Sequence, residues 1–362
     1  MRPRTFADLY DRIHRLAKKT DADNVHLRAR IDQAEQNLAA QIAAGARESR
    51  ADAVRMQESV DALVEQVKSQ GQRIEQLTAI QHADWKHRER IAAWSRLDRE
   101  AVAAHVRSAV ARAEVGQDPC PHLVITGLFP PAFFEMMVEA LPPAILFADR
   151  RVNKQQLRVP FGLAPRYSRE VWQFVSDLMA GALGPALVAR LAPDIEAWVQ
   201  TVCPAATPAQ VAALTYKVSD GRIMLRRAGY EIRPHRDPKW GFVTGLIYLP
   251  RPGDPTEFGT ELYRVRDDSE APSGLPYYID PAACELVRKV PFAPNSALVF
   301  LNSRGAHGAS VPADAPASLE RYLYQFRVGP SHDSISTLLE LMDEDVRARW
   351  TGDKMTKALE AY

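Results

Sequence analysis

Between Pro3 and Pro119 the chain contains no proline, although its 362 residues include 26. Proline removes a backbone donor and clashes with the preceding helical turn. Its exclusion, with glycine confined to Gly45, Gly71 and Gly116, leaves residues 1–115 free to form long helices. The composition there, dominated by Ala, Arg, Gln, Glu and Asp, favours the same state. Met56, Val60, Leu63, Val67, Gln70, Ile74 and Leu77 step alternately by four and three, which places them on one seam of a coiled coil. Leu27, Ile31, Ala34 and Leu38 keep that rhythm, but joining the two runs requires a one-residue register change near Gly45. Two arrangements satisfy the pattern. Either the helices join copies of the chain into a homo-oligomer, or they fold back as an antiparallel hairpin turning near Ala44-Gly45-Ala46 or Gln70-Gly71.

Composition changes at Gly116-Gln117-Asp118-Pro119. His122 to Thr126 reads as a strand, Ala132 to Leu141 as a helix, the region of Trp172 to Met179 as a second and Leu187 to Val199 as a third. Beyond Ala212 the apolar period shortens to two. Leu214 to Val218 and Ile223 to Arg227, separated by Ser219-Asp220-Gly221-Arg222, predict a hairpin. Further strands are expected at Phe242 to Leu249, Thr260 to Val265, Glu285 to Val290, Ala297 to Leu301 and Arg321 to Val328. Strands divided by Pro/Gly loops, without helices between them, imply an antiparallel sandwich or jelly roll within an α+β chain. A C-terminal helix is expected over Leu338 to Leu359, broken near Thr351-Gly352. The organisation is therefore 1–115 helical, 116–335 mainly strand and 336–362 a terminal helix.

The chemistry concentrates in Tyr230-Glu-Ile-Arg-Pro-His235-Arg-Asp237, followed by His307 and Arg321. On an extended segment His235 and Asp237 point to one face. With His307 they offer two imidazoles and a carboxylate, a donor set that takes one face of a metal such as iron(II) and leaves other positions open. An arginine on the following strand suits an anionic ligand held at that metal.

In this region the chain resembles the iron(II)- and 2-oxoglutarate-dependent oxygenases, in particular their prolyl-4-hydroxylase-like branch. The resemblance covers roughly residues 119–330. It rests on Tyr230-x-x-x-Pro234-His235-x-Asp237-Pro238, Leu246-Ile247-Tyr248-Leu249-Pro250, Gly259-Thr260-Glu261-Leu262-Tyr263-Arg264, Asn295-x-Ala297-Leu298-Val299-Phe300, His307-Gly308-Ala309-Ser310-Val311-Pro312 and Arg321-Tyr322. It implies a double-stranded β-helix with helical buttresses. His235, Asp237 and His307 would be the iron ligands, with Arg321, and by position Tyr248, holding the distal carboxylate of 2-oxoglutarate. Arg327, on the same strand face, is an alternative to Arg321. The implied reaction consumes O2 and 2-oxoglutarate, releases succinate and CO2, hydroxylates a substrate and admits ascorbate as a reductant. A protein side chain, a glycan and a small metabolite all remain open as substrates. Two other readings keep the same residues: a catalytically silent binding module carried by the coiled coil, and a cupin-like metalloenzyme that does not use 2-oxoglutarate.

Arg226, Arg227, Arg233, Arg236 and Lys239 make the metal segment basic, either as a cationic mouth for an anionic substrate or as a solvated face. Trp240 and Phe242 either wall the site or pack. Over the whole chain, 46 basic residues against 45 acidic ones give a net charge of +1, no field for nucleic acid. Cys120, Cys203 and Cys284 have no zinc-like spacing and form no disulfide framework, as expected of a cytoplasmic protein. The N-terminus lacks the apolar core of a signal peptide. No membrane span is expected.

Overall fold

The computed structural model describes residues 6–149, 154–159, 161–266, 268 and 277–351. The chain divides into two compact units, Met1–Ile74 and Glu75–Tyr362. The first is carried by α1 (Phe6–Lys86), which runs into the second without interruption. Gly45 and Gly71 are both helical, so the hairpin arrangement fails. A lone glycine costs a helix only about 1 kcal/mol, and neither position carries a second breaking residue. The seam residues Leu63, Val67 and Ile74 are 60%, 67% and 65% exposed, so this chain does not cover them itself.

In the second unit the end of α1 buries Ile80 and Ala83. There follow α2 (Arg90–Trp94), α3 (Arg99–Arg112), α4 (Pro131–Glu139), α5 (Arg166–Leu178), α6 (Gly184–Arg190), α7 (Ala192–Val202), α8 (Pro208–Ala212), α9 (His332–Leu341) and α10 (Glu344–Thr351). Caps fix several starts: Asp98 accepts from the Ala101 N–H, and Thr207 and Gln210 form a capping box. Helix α5, a π-helical stretch at Met179–Leu183 and α6 form one run, Arg166–Arg190, long and apolar enough to cross a membrane. The sequence reading expected no such run. It arises because three elements join end to end, and Val171, Trp172, Val175, Leu183 and Leu187 are buried in the protein core. The third expected helix is divided at Leu191, where α7 begins with Pro193 in its first turn. Met342 separates α9 from α10, a break the sequence reading did not include, while the expected break near Thr351-Gly352 falls where the described residues end, those from 352 onward lying outside them.

Among the described residues thirteen strands form two antiparallel sheets. The larger runs β1 (Val115–Gly116), β2 (His122–Thr126), β11 (Ser296–Leu301), β7 (Val243–Tyr248), β13 (Arg321–Pro330), β5 (Tyr216–Arg226), β4 (Lys154–Arg158), β3 (Ala148–Asp149). The smaller runs β10 (Cys284–Val290), β8 (Thr260–Val265), β12 (Ala306–Ser310), β6 (Glu231–Arg236), β9 (Tyr277–Tyr278). From β5 to β8 the chain alternates between larger and smaller sheet; β10 stays in the smaller, and alternation resumes from β11 to β13.

The expected hairpin at Ser219-Asp220-Gly221-Arg222 does not form. Both halves belong to β5 and pair with β13, with a register shift between Gln325 and Arg327. The turn-like tetrapeptide is absorbed as a bulge, an extra residue that bends a strand without reversing it. Alternation sets the two cores. Leu225, Tyr322, Tyr324 and Phe326 face the helices, whereas Met224, Leu323, Leu246, Tyr248 and Phe300 close the space between the sheets with Leu262 and Val290.

Candidate metal centre

His235 lies on β6 and His307 on the neighbouring β12, directly opposite one another in register. His307 falls outside every strand that the sequence predicts. The structure gives it a strand of its own, entered through Gly305, whose φ of +71° requires glycine. Asp237 follows β6 immediately. One ligand atom from each of the three residues lies within 4.8 Å of the others, the only such cluster among the described residues. All three are buried. The imidazole centroids are 4.1 Å apart, and His307 Nε2 is 3.9 Å from Asp237 Oδ2.

Each ligand is held from behind. The Arg233 carbonyl lies 2.9 Å from His235 Nδ1, which orients Nε2 as the outward atom. The Phe300 ring centroid packs 4.6 Å from that of His307. Asp237 Oδ1 accepts from Arg327 Nη2 at 2.8 Å, and Oδ2 accepts from Thr244 Oγ1 at 2.6 Å. Asn302 Nδ2 donates to the Thr244 hydroxyl at 3.0 Å. Burial pushes the Asp237 carboxyl upward, but the Arg327 guanidinium, then His307 and His235, overcome it and hold the group well below the usual carboxylate range. Burial, and secondarily His235, push His307 down to about 3. The centre therefore presents an ionised carboxylate and, at His307, a neutral imidazole, the states in which these side chains bind metal.

Arg321 and Arg327 both point between the sheets but do different things. Arg327 is committed to Asp237. Arg321 is 2% exposed, donates through Nε to the Phe258 carbonyl and lies 5.0 Å from the Phe292 ring centroid and 5.8 Å from that of Tyr248. Its Nη2 is buried without a hydrogen-bond partner. No well-formed hydrogen bond closes on the buried Tyr248 hydroxyl, with Thr260 as its polar neighbour. Two polar groups on one inner wall are thus left for something else to satisfy.

The basic run divides. Arg227 pairs with Glu320, Arg236 pairs with Asp268 and donates to the Gly305 carbonyl, and Arg226 is buried. Trp240 and Phe242 pack against Trp350 rather than walling the centre. Tyr230 packs under the Arg226 guanidinium. Beside Asp237 opens a cavity of about 650 Å³, lined among others by Trp198, Arg236, Lys239, Asn302 and Arg304. That size suits a small-molecule ligand. Sequence reasoning missed Thr244, Asn302 and the pairing of Arg327 with Asp237. Thr244 stands seven residues beyond Asp237 and Arg327 ninety, and only the arrangement of the strands shows that both reach its carboxylate.

No family model and no curated protein matches the chain. Among solved structures, a Pseudomonas putida prolyl-4-hydroxylase is similar over 63% of this chain and 99% of its own, at 15% identity and a TM-score of 0.32. HygX from Streptomyces hygroscopicus, with nickel, 2-oxoglutarate and hygromycin B bound, is similar over 58% of this chain and 83% of its own, at 15% identity and a TM-score of 0.35. The epimerase SnoN, in complex with Fe3+, alpha-ketoglutarate and nogalamycin RO, is similar over 63% and 83%, again at 15% identity and 0.35. At these identities and TM-scores the likeness adds nothing to the assignment of the site.

Proposed function

We propose that the chain is an iron(II)- and 2-oxoglutarate-dependent oxygenase built on a double-stranded β-helix. The observation that carries this reading is the buried His235, Asp237 and His307 cluster on adjacent strands, each member supported from behind. The alternation of successive strands between two facing sheets supports the fold assignment.

His235, Asp237 and His307 would hold the metal, and Arg321 with Tyr248 would bind the distal carboxylate of 2-oxoglutarate, through the Arg321 Nη2 that lacks a partner and the buried Tyr248 hydroxyl. An iron(II) ion held there would supply the chemistry by which O2 oxidatively decarboxylates 2-oxoglutarate to succinate and CO2 while a substrate C–H bond is hydroxylated. The protein contributes position and environment. Arg327 and Thr244 fix the rotamer and charge of Asp237, and Asn302 fixes Thr244. Phe300, Leu246 and Leu298 exclude water from the wall beside His307. The cavity beside Asp237 admits the substrate, whether a protein side chain, a glycan or a small metabolite.

The seam of α1 supports a second element of the proposal, a homo-oligomer joined through this helix. An apolar stripe exposed along a helix of 81 residues requires a partner, and a second copy presents a matching one. Light scattering of the full chain should give a multiple of its 40.4 kDa, reduced to one copy by Leu63→Asp with Val67→Asp. The three free cysteines suit a reducing compartment such as the cytoplasm.

Anaerobic titration of the purified protein with iron(II), then 2-oxoglutarate, tests the function. A saturable visible charge-transfer band, absent in His235→Ala and weakened in Arg321→Ala, is expected. A folded, metal-loaded protein that gives no band sinks the 2-oxoglutarate assignment. A band untouched by Arg321→Ala returns the cosubstrate to other residues.

A further inference from the structure

Arg226 on β5 and Arg321 on β13 are partners in register, and both are 2% exposed. Like charges directly opposite one another on antiparallel strands destabilise the pairing. Burial makes the conflict worse, because a guanidinium removed from water needs a counter-charge. None is present. Arg226 Nη1 donates to the backbone carbonyls of Gln155, at 2.9 Å, and Leu225, at 3.1 Å, its Nη2 donates to the uncharged Met224 Sδ at 2.8 Å, and its Cζ lies 4.7 Å from the Tyr230 ring centroid. Arg321 meets a carbonyl and two aromatic rings. Arg226 Nε and Arg321 Nη2 are both buried without a partner. The nearby acid, Glu320, is engaged by Arg227 and Arg251 instead. Neither arginine forms an ion pair with a carboxylate among the described residues.

Strand alternation gives both side chains one direction. Their neighbours Leu225 and Tyr322 join the helix-side core, whereas Met224 and Leu323, two residues along, join the cluster between the sheets. That cluster also contains Tyr248 and Phe300, the latter packed on His307. The two guanidiniums thus border the space the candidate metal centre shares.

We propose that Arg226 is a second ligand for the distal carboxylate of the 2-oxo acid, so that this end of the cosubstrate is held by a pair of guanidiniums rather than by Arg321 alone. This rests on the cosubstrate reading above. A carboxylate offers about four acceptor sites, enough for one donor from each arginine and the Tyr248 hydroxyl. Its negative charge would compensate both guanidiniums. The pair selects for a 2-oxo acid that ends in a carboxylate.

The test compares 2-oxoglutarate with 2-oxopentanoate, which has the same keto acid but ends in a methyl group. Each is titrated anaerobically into the full-length iron(II) protein, as wild type, Arg226→Met and Arg226→Gln, with folding checked by circular dichroism. Wild type should bind 2-oxoglutarate at least tenfold more tightly. Loss of one charge-assisted hydrogen bond should weaken 2-oxoglutarate about 10- to 100-fold and leave 2-oxopentanoate within twofold. Either substitution suffices if the other fails to fold. A variant that keeps its 2-oxoglutarate affinity, or loses affinity for both acids alike, overturns the role of Arg226. Wild type that binds neither acid overturns the cosubstrate reading itself, and this inference with it.

Discussion

Replacing Arg327 by methionine should turn the carboxylate of Asp237 from a stabilised group into a liability. The pair is 2.8 Å apart, with side chains 7% and 5% exposed. Removing one member of a buried pair costs about 3–5 kcal/mol, because the other charge is left uncompensated. The Thr244 hydroxyl still donates to Asp237, which places the expected cost near the lower end, about 3 kcal/mol. Urea unfolding of the metal-free full-length protein reads this directly. Asp237→Asn in the same chain should restore most of the loss, since no charge is then stranded. A saturating divalent metal should also restore it in the single variant, because the ion takes over the role of the guanidinium. The pH response should invert. In wild type the carboxyl is held below its ordinary range, so its contribution is present above the unfolded value, about 3.9, and is lost as pH falls further. Without Arg327, burial raises the carboxyl, and the variant should gain stability on acidification from pH 7 towards pH 4. A cost under about 1 kcal/mol, or a pH response unchanged from wild type, would refute the assignment of Arg327 as the counter-charge of Asp237.

Three further expectations are independent of that one. Thr244→Val should weaken metal binding about 10- to 100-fold, measured by calorimetry, because it strips a 2.6 Å hydrogen bond from Asp237 and leaves Asn302 Nδ2 without that acceptor. Gly259→Ala should destabilise the fold by at least about 1–3 kcal/mol in urea melts, since the new Cβ would collide with the Val290 carbonyl oxygen just before β8. Cys120 should resist iodoacetamide at pH 8 until the protein is unfolded, because burial pushes its thiol up to about 12 and leaves little thiolate to react.

Local chemistry was the legible part of this chain. The His235 and Asp237 pair could be read because alternate residues of an extended segment share a face, and the structure puts both at the end of β6 with His307 beside them. The long helix was legible from the exclusion of proline, but not its continuity, because Gly45 and Gly71 look like turns until no second breaking residue is found beside them. Ser219-Asp220-Gly221-Arg222 has the composition of a hairpin turn, and only the pairing of both its flanks with β13 shows that the chain runs straight on. The pairing of Arg327 with Asp237, and the burial of Arg226 opposite Arg321, depend on which strands become neighbours. Residues so far apart in sequence give no local sign of such contacts, and Arg226 sat in a basic run that read equally well as a solvated face.

Calorimetric titration of the metal-free full chain with cobalt(II) tests the central claim most directly, since it asks whether His235, Asp237 and His307 form one metal site. The account predicts one equivalent bound per chain in wild type and none at that site in folded His235→Ala, Asp237→Ala or His307→Ala. Wild type that binds no metal, or binding that survives all three substitutions, would contradict it.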